Sequence, residues 1–301
     1  MTISAKIICD SVSSVTNQRI TTFELEYPRF ILSQINTHRV HSKNTASSRA
    51  IPINVKCEQL LTNGAYPIHW GKNKSGMQAV EEIDDNSKQS AIEIWDNAKL
   101  SAIKYAKELQ ELGVHKQISN RLLEPFETVK TLVTATSFDN FFNLRCHSDA
   151  QPEIKALADK MYEEYIKSEP MVINYGEWHT PYVQRIRDKL NGTIHYYVDG
   201  EEIDTETAIK ISCSCSAQVS YRKNDTSIEK AVKIFDKLVN TKIPHSSAFE
   251  HNATPIDIMK TEQGITHFDI NDVPYSGNFA NWVQYRHLIP NNTCYQYSPN
   301  K

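Results

Sequence analysis

The chain has 301 residues, enough for one large domain or two ordinary ones. Its hydrophobic content of 40% and charged content of 23% are typical of a soluble globular protein. The net charge of −3 argues against a general nucleic-acid or membrane-surface binder. No stretch approaches the length of a membrane-spanning helix, and the N-terminus lacks the basic and apolar regions of a signal peptide. The six cysteines are spread along the chain, which predicts a reducing, cytoplasmic setting.

Two strands are predicted in the first part of the chain. Residues 3–9 form a short apolar run, and residues 20–26 alternate apolar or aromatic residues with polar ones. Pro28 fits the first turn of a helix that leads into a polar stretch. Residues 60–86 show no clear periodicity, which predicts an irregular surface segment.

Helical spacing of apolar residues is found over residues 87–112, and Gly113 is a suitable stop for that helix. Its predicted buried face consists of Ile92, Trp95, Ala98, Ala102, Tyr105, Leu109 and Leu112. Residues 132–136 predict a short β-branched strand. Asp149 is a candidate N-cap for the next helix, because Pro152 would then lie in its first turn.

The second half of the chain contains two clear local patterns. Residues 193–203 predict a hairpin with its turn at Asp199-Gly200, and residues 228–239 predict an amphipathic helix. Strands and helices alternate too irregularly for a doubly wound parallel sheet. We therefore predict an α+β fold in which residues 1–301 form a single domain, with a mainly antiparallel sheet flanked by long helices.

Four histidines raise the question of a metal site. His38 and His41 are three residues apart, while His245 and His251 lie far downstream together with Glu250. No carboxylate lies at a fitting spacing beside the first pair, and neither pair has the H-E-x-x-H pattern. The spacing therefore favours no metal.

The cysteines carry only weak signals. Cys213 and Cys215 form a C-x-C pair without a second pair at zinc-ligand spacing, so small residues on a buried strand or helix explain them. Cys146 lies beside Arg145, a cation that could favour the thiolate. No partner base is visible for a catalytic thiol.

The chain has no glycine-rich phosphate loop. Neither G-x-G-x-x-G nor G-x-x-x-x-G-K-[ST] occurs, and there are nine glycines in total. A nucleotide would have to be bound by side chains and helix ends. Arginine suits this task because its planar fork makes paired, charge-assisted bonds to phosphate or a pyrimidine carbonyl. The candidates are Arg39, Arg49, Arg121 and Arg145, each of which could alternatively be a surface salt-bridge partner.

Three blocks of sequence resemble the motifs of the flavin-dependent thymidylate synthases. Residues 28–50 are similar to P-x-F-x-x-x-Q followed by R-H-R, two residues and S-x-N-E-x-S-x-R-Y. Residues 117–158 are similar to A-R-x-x-L-P, N-x-x-F-F-x-L-R and A-Q-x-E-I-R-x-L-A, and residues 245–251 to H-x-[ST]-P-F-E-H. The matching residues are Pro28, Phe30, Gln34, His38, Arg39, Ser42, Asn44, Ser47, Arg49, Arg121, Asn140, Phe141, Phe142, Leu144, Arg145, Ala150, Gln151, Glu153, Ile154, His245, Phe249, Glu250 and His251.

The three blocks differ from the family in their order and in four residues. In the family the third block lies upstream of R-H-R, whereas here it follows about two hundred residues later. A circular permutation would explain this order, because a domain with neighbouring termini tolerates re-cutting. The alternative is a rebuilt fold. Thr37, Thr45, Ala50 and Ala248 replace the family's Arg, Glu, Tyr and Pro, and the first two changes bear on flavin and nucleotide binding.

The resemblance implies reductive methylation of dUMP to dTMP by a homotetramer with shared active sites. It implies FAD as cofactor, with NADPH and methylenetetrahydrofolate as co-substrates, and no metal, nucleic acid or membrane. Arg145 is the implied catalytic residue, because a guanidinium near the uracil O2/N1 edge favours the negative charge that develops as C5 becomes nucleophilic. The implied substrate-binding residues are Gln34, Ser47, Arg49, Arg121 and Arg145. The implied cofactor-binding residues are His38, Arg39, Asn140, His245 and Glu250.

Alternatives stay open on the same scaffold. The changes at Thr45 and Ala50 could suit dCMP instead of dUMP, or allow water to capture the methylene as a hydroxymethyl group. A non-catalytic flavin- or nucleotide-binding relative is a third interpretation, which Thr37 favours. Residues 276–288 are candidates for the folate or NADPH site, or equally for an interface or core edge. Residues 176–183 receive no assignment.

Overall fold

The computed structural model describes residues 2–76, 78–219, 227–241, 244–257, 267–268, 272, 274–275 and 277–294. The helices are α1 (Leu32–Asn36), α2 (Ile53–Asn63), α3 (Asp85–Glu111), α4 (Lys116–Ser119), α5 (Asp139–Arg145), α6 (Pro152–Lys167), α7 (Thr205–Ala217) and α8 (Ile228–Val239). The strands are β1 (Ser4–Ser13), β2 (Arg19–Pro28), β3 (Ser42–Thr45), β4 (Thr128–Ala135), β5 (Met171–Ile173), β6 (Gln184–Arg187), β7 (Ile194–Val198), β8 (Glu201–Ile203), β9 (Ala253–Pro255), β10 (His267–Phe268), β11 (Pro274–Tyr275) and β12 (Trp282–Gln284). Short 3₁₀ helices cover Arg29–Ile31, Asn120–Phe126, Ser246–His251 and Tyr285–Leu288. Within these described ranges, no helix combines the length and apolar character needed to cross a membrane.

A mixed five-stranded sheet with the order β3-β4-β2-β1-β5 organises the first half of this α+β fold. Three of its neighbouring pairs are antiparallel, and β1 and β5 run parallel. Phe23, Leu25 and Tyr27 alternate along β2 and are buried on one face, where α5 and α6 contribute Phe141 and Leu157. Complete burial of such a side chain contributes roughly 1.5–3 kcal/mol relative to exposure. This packing fixes α5, and with it the residue at its C-terminal end, against the sheet.

A smaller core forms where α2 and α3 meet the 3₁₀ helix Asn120–Phe126. Leu60 and Ile103 are buried there. Beside this core, the ammonium of Lys56 forms an ion pair with the carboxylate of Glu127, and both side chains are almost completely buried. Because burial disfavours charge, it lowers the pKa of Lys56 and raises that of Glu127.

The described residues between 171 and 294 build another core beside the sheet, to which Ile20 of β2 also contributes. The predicted hairpin is confirmed as β7 and β8, with Asp199 at φ 52° and Gly200 at φ 88°, the left-handed conformations of a tight hairpin turn. The amphipathic helix predicted at 228–239 is confirmed as α8. Trp282 and Phe249 lie in this core, where β12 pairs with β9.

The long helix α3 is confirmed, but its buried face is rotated relative to the prediction. The fully buried positions are Lys99, Ile103 and Ala106, whereas Tyr105 and Leu112 are exposed. A lysine can bury its aliphatic stem while its ammonium finds polar partners. Counting only apolar residues therefore displaced the predicted face round the helix, although Trp95 and Ala102 of that face do pack against the core.

Three other predicted boundaries are corrected. Asp149 is not the N-cap of α6; that position is taken by Gln151, because Pro152 holds the residue before it in an extended conformation. The predicted irregular segment 60–86 is shorter in the structure, because α2 continues to Asn63 and α3 begins at Asp85. The strand predicted at 132–136 begins earlier, since β4 pairs with β2 along its whole length.

Candidate functional site

The polar stretch that follows β2 folds into α1, a turn and the edge strand β3. In this turn the rings of His38 and His41 stack at 5.7 Å, and they rest on Phe141 and Phe138 at 4.9 and 4.8 Å. Burial, reinforced by nearby cations, lowers the pKa of His38 to about 4 and that of His41 to about 3. Both imidazoles are therefore neutral at pH 7. Among the described residues, no group of His, Cys, Asp and Glu is arranged to hold a metal ion.

Arg145 ends α5 and reaches back to this turn. Its Nε donates to Nε2 of His38 at 3.0 Å, and a terminal nitrogen donates to Oγ1 of Thr37 at 3.3 Å. His38 can accept because it is neutral, and the charge of Arg145 is one cause of its lowered pKa. The two bonds use two of the five N–H donors of the guanidinium. Blocks 28–50 and 117–158 therefore meet at Arg145.

Lys43 stabilises the turn from the first residues of β3. Its Nζ donates to the backbone carbonyls of His38 and His41 at 2.5 and 3.0 Å. Burial lowers the pKa of Lys43, and the carboxylate of Glu250 acts in the opposite direction. Lys43 follows Ser42 in β3, the strand against which the third block is held.

Glu250 is held against β3 by two residues of the C-terminal segment. Its carboxylate forms an ion pair with Arg286. Nε2 of Gln284 donates both to the backbone carbonyl of Glu250 at 2.8 Å and to Oγ of Ser42 at 2.9 Å. We call the set His38, Lys43, Arg145 and Glu250 the three-block junction.

A cleft of about 880 Å³ opens beside Arg145. The side chain of Gln34 hydrogen-bonds that of Gln151 at its wall, and Gln151 donates to Glu153 at 2.9 Å. Trp95 adds an aromatic surface. The volume lies within the range of ligand pockets, and two of the predicted substrate-binding residues line it.

Ser47, Arg49 and Arg121 lie at a different place. Ser47 begins a turn in which its Oγ accepts from the backbone N–H of Arg49 at 3.3 Å. The buried amide of Asn120 donates to the carbonyls of residues 48 and 51, which brings Arg121 beside this turn. Both arginines are exposed, and Arg121 pairs with a glutamate of its own helix. Within the described ranges, no hydrogen bond or ion pair connects either arginine to Arg145.

The remaining predicted cofactor residues are accessible to solvent. Arg39 follows His38 in the turn, Asn140 lies in the first turn of α5, and His245 precedes the 3₁₀ helix Ser246–His251; all three side chains are exposed. A ligand could reach each of them without rearrangement of the core.

The cysteine signals have structural explanations. Cys213 and Cys215 are buried in α7, so the helical interpretation of the C-x-C pair is confirmed. The effect expected of Arg145 on Cys146 was wrong: burial and the nearby carboxylate of Asp159 raise the pKa of Cys146 to about 11. This thiol is protonated at pH 7.

Comparison with known proteins identifies the family. The family model described as Thy1, thymidylate synthase complementing protein, matches residues 2–171, more than half of the chain. The chain belongs to the Thy1 family of flavin-dependent thymidylate synthases. The match covers the first two blocks. The third block and the stretch 276–288 lie beyond it, so the permuted block order remains a prediction.

Curated Thy1 relatives are similar over part of their length. A flavin-dependent thymidylate synthase of Thermosipho africanus is 31% identical over 144 residues, which is 46% of this chain and 60% of the relative. The enzyme of Thermosipho melanesiensis is 33% identical over 147 residues, with 47% and 61% covered. The chain thus spans about three fifths of the length of these relatives.

Solved structures with distant similarity include two nucleotide complexes. The UMP/dUMP methylase PolB from Streptomyces cacaoi, bound with 5-Br dUMP, is 16% identical at a TM-score of 0.46, with 55% of this chain and 90% of that chain covered. ThyX from Helicobacter pylori, complexed with FAD and dUMP, is 20% identical at a TM-score of 0.34, with 48% and 67% covered.

Several site residues of this Thy1 family member escaped the sequence reasoning. Lys43 lies in the polar stretch after Pro28, and Gln284 and Arg286 lie in the segment 276–288, but the sequence assigned none of them a specific contact. The contact between Gln284 and Ser42 joins positions more than two hundred residues apart. Side-chain type and local spacing contain no signal for such contacts.

Proposed function

We propose that this protein is a flavin-dependent thymidylate synthase that converts dUMP to dTMP. Methylenetetrahydrofolate would donate the carbon, NADPH the reducing equivalents, and FAD would be the cofactor. The observation that carries the proposal is the three-block junction, in which Arg145 bonds His38 and the Gln284 amide holds Glu250 of the third motif against the adjacent strand β3. Membership of the Thy1 family supports the same reaction.

Arg145 is the proposed catalytic residue. It lines the cleft, and only two of its five donors are used within the chain. A preorganised cation at the uracil edge stabilises the negative charge that builds up as C5 attacks the carbon donor. Neutral His38 holds the guanidinium in place without competing for that charge.

Two groups of side chains would hold the nucleotide. Gln34 and Arg145 share the cleft and would contact the base, while Arg49 and Arg121 would neutralise the phosphate through paired bonds and Ser47 would hydrogen-bond it. Because the two groups are not in contact within one chain, the proposal includes a homotetramer in which different subunits contribute to one site.

The donor set fits FAD. The proposed cofactor-binding residues are His38, Arg39, Asn140, His245 and Glu250. Arg39, Asn140 and His245 expose a guanidinium, an amide and an imidazole, which suit a diphosphate and flavin carbonyl oxygens. Thr37 supplies a hydroxyl in place of the motif's arginine, which removes one cation. When bound, reduced FAD supplies the hydride that completes the methyl group.

A second candidate keeps the scaffold and changes the nucleotide or product. It is C5 methylation or hydroxymethylation of dCMP or dUMP. The hydroxyl of Thr45, where the motif has a glutamate, accepts from Thr131 at 3.1 Å inside the sheet. Ala50 stands where the motif has a tyrosine. The nucleotide-binding segment therefore lacks two groups that would contact a base or sugar.

A product assay tests both candidates. Purified protein would receive FAD, NADPH and methylenetetrahydrofolate, with dUMP in one reaction and dCMP in the other, and the nucleotides would be analysed by mass spectrometry. We expect dTMP from dUMP. A methylated cytosine nucleotide, or a hydroxymethyl product from either substrate, would establish the second candidate. Bound FAD without any product would leave a binding protein and contradict methyl transfer.

A further inference from the structure

A series of side-chain hydrogen bonds crosses the five-stranded sheet. Thr22 of β2 and Thr134 of β4 lie directly opposite each other, with their hydroxyl oxygens 2.7 Å apart. On one side, Oγ1 of Thr22 is 2.8 Å from Nε2 of His179. On the other side, Oγ1 of Thr134 is 2.8 Å from Nδ1 of His251. All four residues are fully buried.

The His179 end of this series is anchored by a cation. Nδ1 of His179 is 2.9 Å from Oγ of Ser11 and 3.4 Å from Sγ of Cys9. Arg185 of β6 donates to the same Ser11 oxygen at 2.6 Å and to the backbone carbonyl of Asp10 at 2.9 Å. The guanidinium is thus held in a fixed position at the start of the series.

The chemistry of the anchor sets the direction of the first two bonds. A guanidinium can only donate, so the oxygen of Ser11 accepts from Arg185; among the described partners of Ser11, only Nδ1 of His179 can then take its proton. Cys9 supports this assignment, because burial raises its pKa to about 11 and its thiol can also donate to Nδ1. With Nδ1 accepting, a neutral His179 carries its proton on Nε2.

The same direction continues through the sheet to His251. Nε2–H of His179 donates to Thr22, Thr22 donates to Thr134, and Thr134 donates to Nδ1 of His251. Every hydroxyl then accepts one bond and donates one. In the opposite direction, the Ser11 oxygen would accept two bonds and its own proton would have no acceptor in the series.

We propose that Arg185 is a positioning residue that polarises this series and holds His251 in the tautomer with its proton on Nε2. The result is a buried hydrogen-bond donor next to Glu250, suited to an acceptor such as a carbonyl oxygen or a water molecule. Nε2 of His251 is buried and has no hydrogen-bond partner among the described residues. Burial lowers the pKa of His251 to about 3 and that of His179 well below its ordinary value, so each ring carries one proton at pH 7.

The inference is independent of the reaction proposed above. His179, Arg185 and His251 lie outside the residues matched by the family model, whereas Thr22 and Thr134 lie within them. The series therefore links the C-terminal part of the chain to strands that the family model matches. A failure of the thymidylate synthase assay would leave the tautomer measurement unaffected.

Nitrogen NMR of the full-length protein, labelled with ¹⁵N at histidine, tests the proposal. Long-range proton–nitrogen correlation at pH 7 distinguishes a protonated ring nitrogen from an unprotonated one. We expect protonated Nε2 and unprotonated Nδ1 for both His179 and His251. A proton on Nδ1 of His251, or a doubly protonated ring, would overturn the proposal.

Variants then test the role of Arg185. Arg185→Met removes the donors but keeps the length of the stem, and we expect His251 to lose its single tautomer. Ser11→Ala breaks the series at its second member and should have the same effect. It provides the test if Arg185→Met fails to fold. Arg187→Met is the matched control, since Arg187 lies on the same strand and pairs with Glu177 instead. An unchanged His251 tautomer in either folded test variant would refute a role for Arg185.

Discussion

Removing the guanidinium of Arg145 should reduce turnover of dUMP about 100- to 1,000-fold. The estimate follows from its proposed role, because loss of one preorganised donor at a developing negative charge typically costs about 2.7–4 kcal/mol of barrier, and 1.36 kcal/mol corresponds to a factor of ten. The side chains that accept hydrogen bonds from Arg145 cannot supply the missing positive charge, because His38 and Thr37 are neutral.

The same substitution should leave the fold intact. Arg145→Ala removes two hydrogen bonds on a half-buried side chain, each contributing roughly 0.5–1.5 kcal/mol. A total below about 3 kcal/mol is smaller than the stability of an ordinary domain. Loss of the cation should also raise the pKa of His38 from about 4, although burial, the larger cause of the shift, keeps it below 6.5.

The assay is dTMP formation under saturating co-substrates, combined with an NMR titration of His38. Arg187→Ala serves as the control, because it removes the same charge from a surface ion pair with Glu177. Arg145→Lys tests whether charge alone is sufficient without the planar fork. Retention of more than a tenth of wild-type turnover in Arg145→Ala would remove Arg145 from the centre of the mechanism.

Three further outcomes concern buried polar groups. Lys56→Met leaves Glu127 buried without its closest cation, so it should lower the free energy of unfolding by roughly 3–5 kcal/mol in urea titrations. Adding Glu127→Gln removes the buried charge and should recover more than half of the loss. The folded-state pKa of His41 is about 3 against 6.5 for an ordinary histidine, so the unfolded chain takes up the proton first and stability falls as pH drops from 6.5 toward 3. His41→Gln should reduce the slope of this dependence between pH 7 and 5 without abolishing it, because His38, His179 and His251 also have lowered pKa values. Gln284→Ala leaves the Glu250 carbonyl without its donor and should cost roughly 1–3 kcal/mol, measured by the same titrations.

Elements with a complete local signal were predictable from the sequence. The Asp199-Gly200 turn requires two left-handed residues, and those residue types adopt that conformation most easily. Gly113, at φ 80°, ends α3 for the same reason. The signal for each of these features lies within a few neighbouring residues, so no knowledge of the tertiary structure was needed.

Predictions failed where a local rule met a competing constraint. Asp149 has a suitable side chain for a cap, but the backbone restriction that Pro152 places on Gln151 decided where α6 begins. Lys99 is charged and nevertheless buried, which rotated the face of α3. In both cases the side chain was assigned its usual role. The prediction left out the stronger effect, which was the backbone restriction before proline in one case and the burial of a lysine in the other.

Within the candidate site, residue types could be predicted but most contacts could not. The motif blocks indicated His38, Arg145 and Glu250 individually; in the structure Arg145 bonds His38, and Glu250 is held against the adjacent strand β3. The Gln284 amide joins β3 to the third block across more than two hundred residues. Alternation along a strand shows which face is buried, but it does not reveal which distant segment packs on that strand.

The position of β3 explains how a late segment can complete an early motif. β3 is an edge strand of the five-stranded sheet, so its outer side is open to any segment that can reach it. The entropic cost of closing a loop grows only with the logarithm of its length, so lengthening the connection tenfold adds roughly 2 kcal/mol. Contacts of the kind made by Gln284 can offset such a cost. The third block can therefore occupy different positions along the chain at a small entropic cost, provided that it still packs against β3. A chain with the third block moved upstream of residue 28 should accordingly keep the junction, provided that the new connection can span the distance to β3.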